Sequence, residues 1–210
     1  MLLQLAMDDI TYEGAKKLLE AVGDLVDIIE IGTPFAYSSP LSLIGELKWR
    51  YPSKKILADY KILDGGDFMA NLAYSAGADI TTVSARAHDE TIEGAVRSAR
   101  KWNREILVDM MAVPLNEIPA RAAFASGLNA DYICVHTSLD VQNAVDPLES
   151  IRAARQSCGS TRVSVAGGIR PDTIGRLVVE KPDVVIVGGA LVKAPDPRKT
   201  ALILREIMEG

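Results

Sequence analysis

Asp183-Val184-Val185-Ile186-Val187-Gly188 sets four consecutive β-branched residues between an acid and the first of two glycines. A strand with one face in water alternates polar and apolar residues. This run does not, so it reads as a strand covered on both faces, the habit of parallel sheets. Seven runs of similar character precede it: Leu3 to Met7, Val26 to Gly32, Lys55 to Lys61, Asp79 to Ser84, Glu105 to Met111, Tyr132 to Thr137 and Arg162 to Gly167. An amphipathic helical stretch follows each run.

Start and stop signals punctuate those stretches. Ser39-Pro40, Asp146-Pro147 and Asp196-Pro197 each place a capping side chain before a proline suited to the first helical position. Asp67 and Asp89 are expected caps of the third and fourth helices, and Gly77 and Gly127 are expected stops. Eight strand-helix units in 210 residues predict one (β/α)8 TIM barrel over residues 1–210, near the lower size limit of that fold. A doubly wound sheet would show fewer strands and, for a dinucleotide, a glycine-rich turn after the first. The first run instead ends Met7-Asp8-Asp9-Ile10. Linkers, low-complexity tracts and charge blocks are absent from the sequence, so a single domain is expected.

A hydrophobic fraction of 48% with 24% charged residues fits a soluble globular chain. The net charge of -5 weighs against nucleic acid, whose binders usually carry a basic face. Neither a membrane-spanning run nor a signal peptide is expected, and the location is read as cytoplasmic. Cys134 and Cys158 match no zinc spacing and are read as structural.

In this fold the active site lies at the C-terminal ends of the strands. Those ends carry Asp8, Glu30, Asp59 with Lys61, Asp109 and His136, and Asp64 lies just beyond strand three. Residues two apart on a strand share a face, so Asp59 and Lys61 are expected to point the same way. An ammonium between carboxylates stays charged. A Schiff-base lysine must become neutral. Lys61 is therefore read as a fixed positive charge for a developing oxyanion or enediolate, against the plainer reading of a salt bridge closing the barrel mouth. Glu30 and Asp59 are a hard oxygen pair suited to Mg²⁺ or Mn²⁺, or else Glu30 only pairs with Lys61. Asp109 contacts substrate or the water shell of a metal, or pairs with Lys61 behind it. His136 is a proton carrier or a hydrogen-bonded rim residue, and His88 is read as solvated surface. Gly167-Gly168 and Gly188-Gly189 follow strands seven and eight, where backbone amides of this fold usually meet a phosphate.

Three segments carry a resemblance: Asp27-Ile28-Ile29-Glu30-Ile31-Gly32-Thr33-Pro34, Ala58-Asp59-Tyr60-Lys61-Ile62-Leu63-Asp64-Gly65-Gly66, and His136-Thr137-Ser138-Leu139-Asp140-Val141-Gln142. Together, and in order over nearly the whole chain, they resemble the 3-hexulose-6-phosphate synthases of the orotidine-5′-phosphate decarboxylase superfamily. The Asp-x-Lys-x-x-Asp motif marks the superfamily, and the other two segments narrow it. The resemblance implies a metal-dependent, reversible aldol reaction of formaldehyde with D-ribulose 5-phosphate, giving D-arabino-hex-3-ulose 6-phosphate. It maps Glu30 and Asp59 onto metal ligands, Lys61 onto the enediolate-stabilising cation and His136 onto the proton-transfer position. Asp8 maps onto a substrate hydroxyl contact. Asp64 maps onto a residue that crosses a homodimer interface into the partner's site.

Related families differ at particular positions. The 3-keto-L-gulonate-6-phosphate decarboxylases look like His-Arg-Ser-Arg-Asp after strand six, where Leu139 stands in place of the second arginine. Orotidylate decarboxylases carry a longer phosphate-gripping loop with an arginine after strand seven. Ribulose-phosphate epimerases need several metal histidines at strand ends, and His136 alone is available there. A non-catalytic phosphosugar-binding homologue would keep the glycines and lose the acid, lysine and histidine set.

Overall fold

A computed structural model describes residues 1–141 and 146–210. Gln142, the last residue of the third segment above, and the side chain of Leu139 lie outside the described set. The chain opens with β1 (Leu2–Met7), α1 (Tyr12–Val22), β2 (Ile28–Ile31), α2 (Thr33–Ser38), α3 (Ser42–Arg50), β3 (Lys55–Ile62), α4 (Gly66–Ser75) and β4 (Ile80–Ser84). It continues with α5 (Asp89–Trp102), β5 (Glu105–Asp109), α6 (Ile118–Gly127), β6 (Tyr132–His136), α7 (Pro147–Arg155) and β7 (Arg162–Ala166). α8 (Ile174–Val178), β8 (Val184–Val187), α9 (Gly189–Val192) and α10 (Pro197–Glu209) complete it. The strands pair in parallel in sequence order, and β8 returns to β1, closing the barrel. None of the described helices is long and apolar enough to cross a membrane.

Apolar strands follow from this closure, because each strand buries two faces. Leu3, Leu5 and Met7 of β1 and Val185 and Val187 of β8 pack outward against the helices. Ala6, Leu57, Ile80, Leu107, Cys134, Val184 and Ile186 fill the barrel interior. Each fully buried aliphatic side chain contributes about 1.5–3 kcal/mol relative to exposure. The inward positions recur every second residue. Counting along them gives Lys55-Leu57-Asp59, Glu105-Leu107-Asp109 and Tyr132-Cys134-His136. Charged or aromatic groups thus close the bottom, apolar groups fill the middle, and acids with a histidine stand at the top. At the bottom Glu105 accepts from Lys55 at 2.5 Å and from Arg162 at 2.6 Å, while Arg162 stacks 3.9 Å above the Tyr132 ring.

A further regularity was not part of the sequence reading. Asp27, Asp79, Asp131 and Asp183 stand at equal intervals, each just before an even-numbered strand. Their carboxylates accept from the backbone N–H of Leu3, Ile56, Ile106 and Val163 on the preceding strand. Each also meets a cation: Arg205, Lys48, Arg100 and Arg155 in turn. The same strand-pair unit is therefore pinned four times around the ring.

The helix signals act unevenly. Asp146 and Asp196 do cap, accepting from Leu148 N and Lys199 N. Ser39-Pro40 instead falls between α2 and α3, and α3 begins after Leu41 with no side-chain cap. Asp67 and Asp89 lie inside the first turns of α4 and α5, where their charge favours the positive end of the helix dipole without capping it. Gly127 is still helical. The left-handed residue that ends that segment is Asn129, with φ 62°.

Candidate active site

Asp59, Asp109 and His136 are inward residues at the strand tops, so their meeting follows from the pleat. Asp59 and Lys61 meet for a different reason from the one expected. β3 loses register with β4 between Ala58 and Ile62, and Lys61 takes φ 41°. A left-handed lysine is unfavourable by roughly 1–3 kcal/mol, so its surroundings must hold it there. From this bulge the ammonium of Lys61 reaches Asp59 Oδ2 at 2.5 Å and Asp109 Oδ2 at 3.2 Å.

Both carboxylates are 3% exposed. Burial alone would pull the Lys61 ammonium down, but the charges of Asp109 and Asp59 outweigh it and raise it above the ordinary lysine value. Burial alone would likewise push the Asp109 carboxyl up. His136, Lys61 and the Met111 amide overcome this and hold it far below the usual carboxylate range. Asp109 is thus ionised, and the imidazole donates Nδ1–H to its Oδ2 at 3.1 Å. Burial works against a charged His136, yet Asp109 offsets it and the group is raised above 6.5. With Nδ1 bound to Asp109, Nε2 is the nitrogen that exchanges protons with a substrate.

Glu30 is buried on β2 and accepts from Gln4 Nε2 at 2.6 Å. Its carboxyl is raised well above the ordinary value, first by burial and then by the like charge of Asp59. Two acids forced together out of water, offering only oxygen donors, fit a hard divalent cation such as Mg²⁺ or Mn²⁺. Asp109, Cys134 and His136 also bring donor atoms within 4.8 Å of one another. Lys61 contacts both Asp59 and Asp109 and so does not choose between the two places; His136 Nδ1 is committed to Asp109 Oδ2, and burial pushes the Cys134 thiol well up, so Cys134 is inert core.

Asp8 follows β1, and its carboxylate lies against Gly32. A Cβ there would come within 2.2 Å of Asp8 Oδ1 and 2.8 Å of the Met7 carbonyl oxygen, and the backbone oxygen cannot turn aside, so only glycine fits. Burial and Asp59 raise the Asp8 carboxyl. Gly167 and Gly168 turn the chain after β7 with φ 103° and 64°, and Gly188 and Gly189 lead from β8 into α9. Asp64 is apart from this cluster within the chain: it is exposed, and its carboxylate accepts from Gly65 N. His88 is exposed, as expected.

Three polar residues that hold the acids escaped the sequence reading. Gln4 bonds Glu30. Thr33 Oγ1 lies 2.8 Å from Asp59 Oδ2 and 2.9 Å from the Asp59 carbonyl oxygen. Thr82 Oγ1 donates to Asp59 Oδ1 at 2.7 Å. Gln4 and Thr82 occupy inward positions, in step with Ala6 and Ile80, so counting by twos from the apolar interior would have found them.

The model of the orotidine 5′-phosphate decarboxylase / HUMPS family matches residues 1–202. A 3-hexulose-6-phosphate synthase of Staphylococcus aureus is 42% identical over 211 residues, covering 100% of this chain and 100% of that protein. The crystal structure of 3-hexulose-6-phosphate synthase from Salmonella typhimurium has a TM-score of 0.94 at 38% identity, covering 100% of this chain and 99% of that one. The structure of 3-keto-L-gulonate-6-phosphate decarboxylase from Vibrio cholerae is more distant, with a TM-score of 0.83 at 28% identity over 99% of this chain and 97% of that one.

Proposed function

Because the chain belongs to the orotidine 5′-phosphate decarboxylase / HUMPS family, we propose that it joins formaldehyde to D-ribulose 5-phosphate, giving D-arabino-hex-3-ulose 6-phosphate, and runs the reverse. The substrate comes from its full-length relatives. The observation that carries the chemistry is the Lys61 ammonium fixed between Asp59 and Asp109, with His136 on the same Asp109 oxygen.

In the forward direction C1 of the pentulose gives up a proton, and the electron pair moves to the C2 carbonyl oxygen, forming an enediolate. C1 then bonds to the formaldehyde carbon, and the formaldehyde oxygen takes up a proton. Lys61 supplies fixed positive charge beside the enediolate oxygen, a task suited to a lysine that two carboxylates keep protonated. His136 takes and returns the proton through Nε2. Asp8 holds a substrate hydroxyl, and the backbone amides around Gly167, Gly168, Gly188 and Gly189 receive the phosphate. Glu30 and Asp59 would hold Mg²⁺ or Mn²⁺, which when bound polarises the carbonyl and the adjacent hydroxyl.

The proposed enzyme is a homodimer in which Asp64 reaches the partner's site. Exposed apolar residues around it support this: Leu63 is 62% exposed and Phe68 66%. A cavity of about 260 Å³ lined by Tyr37, Leu41, Tyr60 and Met69 adds apolar surface drawn from α2, β3 and α4. Such a patch on a monomer is a recurrent mark of an interface. The location is read as cytoplasmic, where the unpaired thiols of Cys134 and Cys158 persist.

Formaldehyde consumption with ribulose 5-phosphate tests the assignment, beside carbon dioxide release from 3-keto-L-gulonate 6-phosphate. The aldol reaction should have the higher kcat/KM. A preference for the keto acid would replace the assignment with the decarboxylase, and no turnover on either would leave a binding protein. Sedimentation at assay concentration tests the dimer, which a monomer with full activity would exclude.

A further inference from the structure

Thr82 lies on β4 in the barrel interior, 3% exposed and directly beside the break in β3. Its hydroxyl makes two contacts. It accepts from the backbone N–H of Lys61 at 2.8 Å and donates to Asp59 Oδ1 at 2.7 Å. The directions follow from the amide: an N–H only donates, so the hydroxyl oxygen accepts from Lys61 and its own proton is left for Asp59 Oδ1.

The break explains why such a group is needed. Between matched positions β3 runs from Ala58 to Ile62 while β4 runs only from Thr81 to Val83. The surplus residues on β3 cannot all find ladder partners, and Lys61 is one of them. Without Thr82 its N–H would be a donor stranded in the barrel wall, and its left-handed backbone, φ 41°, would lose that tie to β4. Thr82 answers both needs with one oxygen, and the proton of that oxygen fixes the Asp59 carboxylate. Asp59 Oδ2 is then the oxygen that meets the Lys61 ammonium.

We propose that Thr82 is a positioning residue for the reaction: its hydroxyl pins the β3 bulge to the Asp59 carboxylate and thereby aims the Lys61 ammonium at the reacting oxygen. The role in turnover rests on the aldol function proposed above. The pinning itself does not. The rival role is steric, with Thr82 acting only as a β-branched filler of the barrel wall.

Valine keeps the shape of threonine and loses the hydroxyl, whereas serine keeps the hydroxyl and loses the methyl group. Thr82→Val should lower kcat at least about ten-fold while KM for ribulose 5-phosphate stays within about three-fold, since the phosphate is held elsewhere. Thr82→Ser should return kcat to within about three-fold of the unaltered protein. Amide hydrogen exchange at Lys61 gives a readout independent of activity: it should speed up in Thr82→Val and remain slow in Thr82→Ser. If Thr82→Val does not fold, Thr82→Ala takes its place, with the same losses expected. Near-normal kcat in the variant lacking the hydroxyl would overturn the proposal, as would a serine variant as impaired as the valine one. Unchanged exchange at Lys61 in that variant would equally overturn it. An unaltered protein inactive on formaldehyde and ribulose 5-phosphate would instead sink the functional reading, and the exchange measurement would still decide whether Thr82 pins the bulge.

Discussion

Oδ2 of Asp109 lies 3.1 Å from Nδ1 of His136, and the same oxygen lies 3.2 Å from the Lys61 ammonium. One buried carboxylate thus governs both the proton carrier and the fixed cation. For a base the imidazole must be neutral. His136 is raised above 6.5, so kcat/KM should fall as pH drops through a value above 6.5. In Asp109→Asn the raising charge is gone while burial still disfavours the imidazolium, so that acid limb should move to lower pH. Profiles of kcat/KM on both proteins check the direction, and a limb that stays put or moves up would separate His136 from proton transfer.

The Lys61 ammonium is held charged by its neighbours and should not form an imine. Borohydride added during turnover should leave the enzyme active, whereas time-dependent inactivation with a labelled Lys61 would establish the other aldolase chemistry. Lys61→Ala should lower kcat by on the order of 10²–10³, the usual scale for losing an oxyanion-stabilising group. It also leaves Asp59 and Asp109 buried without their cation, which costs about 3–5 kcal/mol of stability. A lower Tm should therefore accompany the lost activity.

Glu30 gives a metal prediction with a defined sign. A raised carboxyl binds its proton more tightly in the folded state, so this group lowers stability as pH rises from 4.5 toward the raised value. At neutral pH Mg²⁺ or Mn²⁺ should relieve that repulsion and raise Tm, and chelator should reverse the gain and stop turnover. Glu30→Gln should be more stable than the unaltered protein without metal and need more metal for half activity. Full activity of protein shown by elemental analysis to be metal-free would remove the metal from the mechanism.

The strand tops were legible because a strand repeats every two residues: once Leu57 and Leu107 are inside, Asp59 and Asp109 must be as well. The Lys61 bulge was not legible. A left-handed lysine leaves no local signature, and its cause, Thr82, is about twenty residues away on another strand. The same limit explains Ser39-Pro40, whose capping pattern is local while the position of α3 is set by burying Leu43, Ile44 and Leu47. The four aspartates at equal intervals were visible in principle. Asp27, Asp79 and Asp183 fall within the apolar runs, but only the bond of each to the preceding strand gives the series a purpose.

Sequence alone gives the two glycine pairs one role, and the structure sets Gly167 apart from the other three. Gly167 has φ 103°, and a Cβ there would meet the Thr137 carbonyl oxygen at 2.2 Å. That oxygen belongs to the backbone leaving β6 just after His136, so neither side can yield without moving a strand top. Gly189 begins α9, and nothing lies within 4 Å of the Cβ it would carry. Gly167→Ala should therefore destabilise the fold, raise KM for the phosphosugar by displacing the amides after β7, and lower kcat by shifting His136. Gly189→Ala should leave Tm near that of the unaltered protein, so any rise in its KM reports only on room for the phosphate. Melting curves and steady-state kinetics on both variants separate the two effects. Equal, small changes in both would mean that the turn after β7 does not shape the phosphate site.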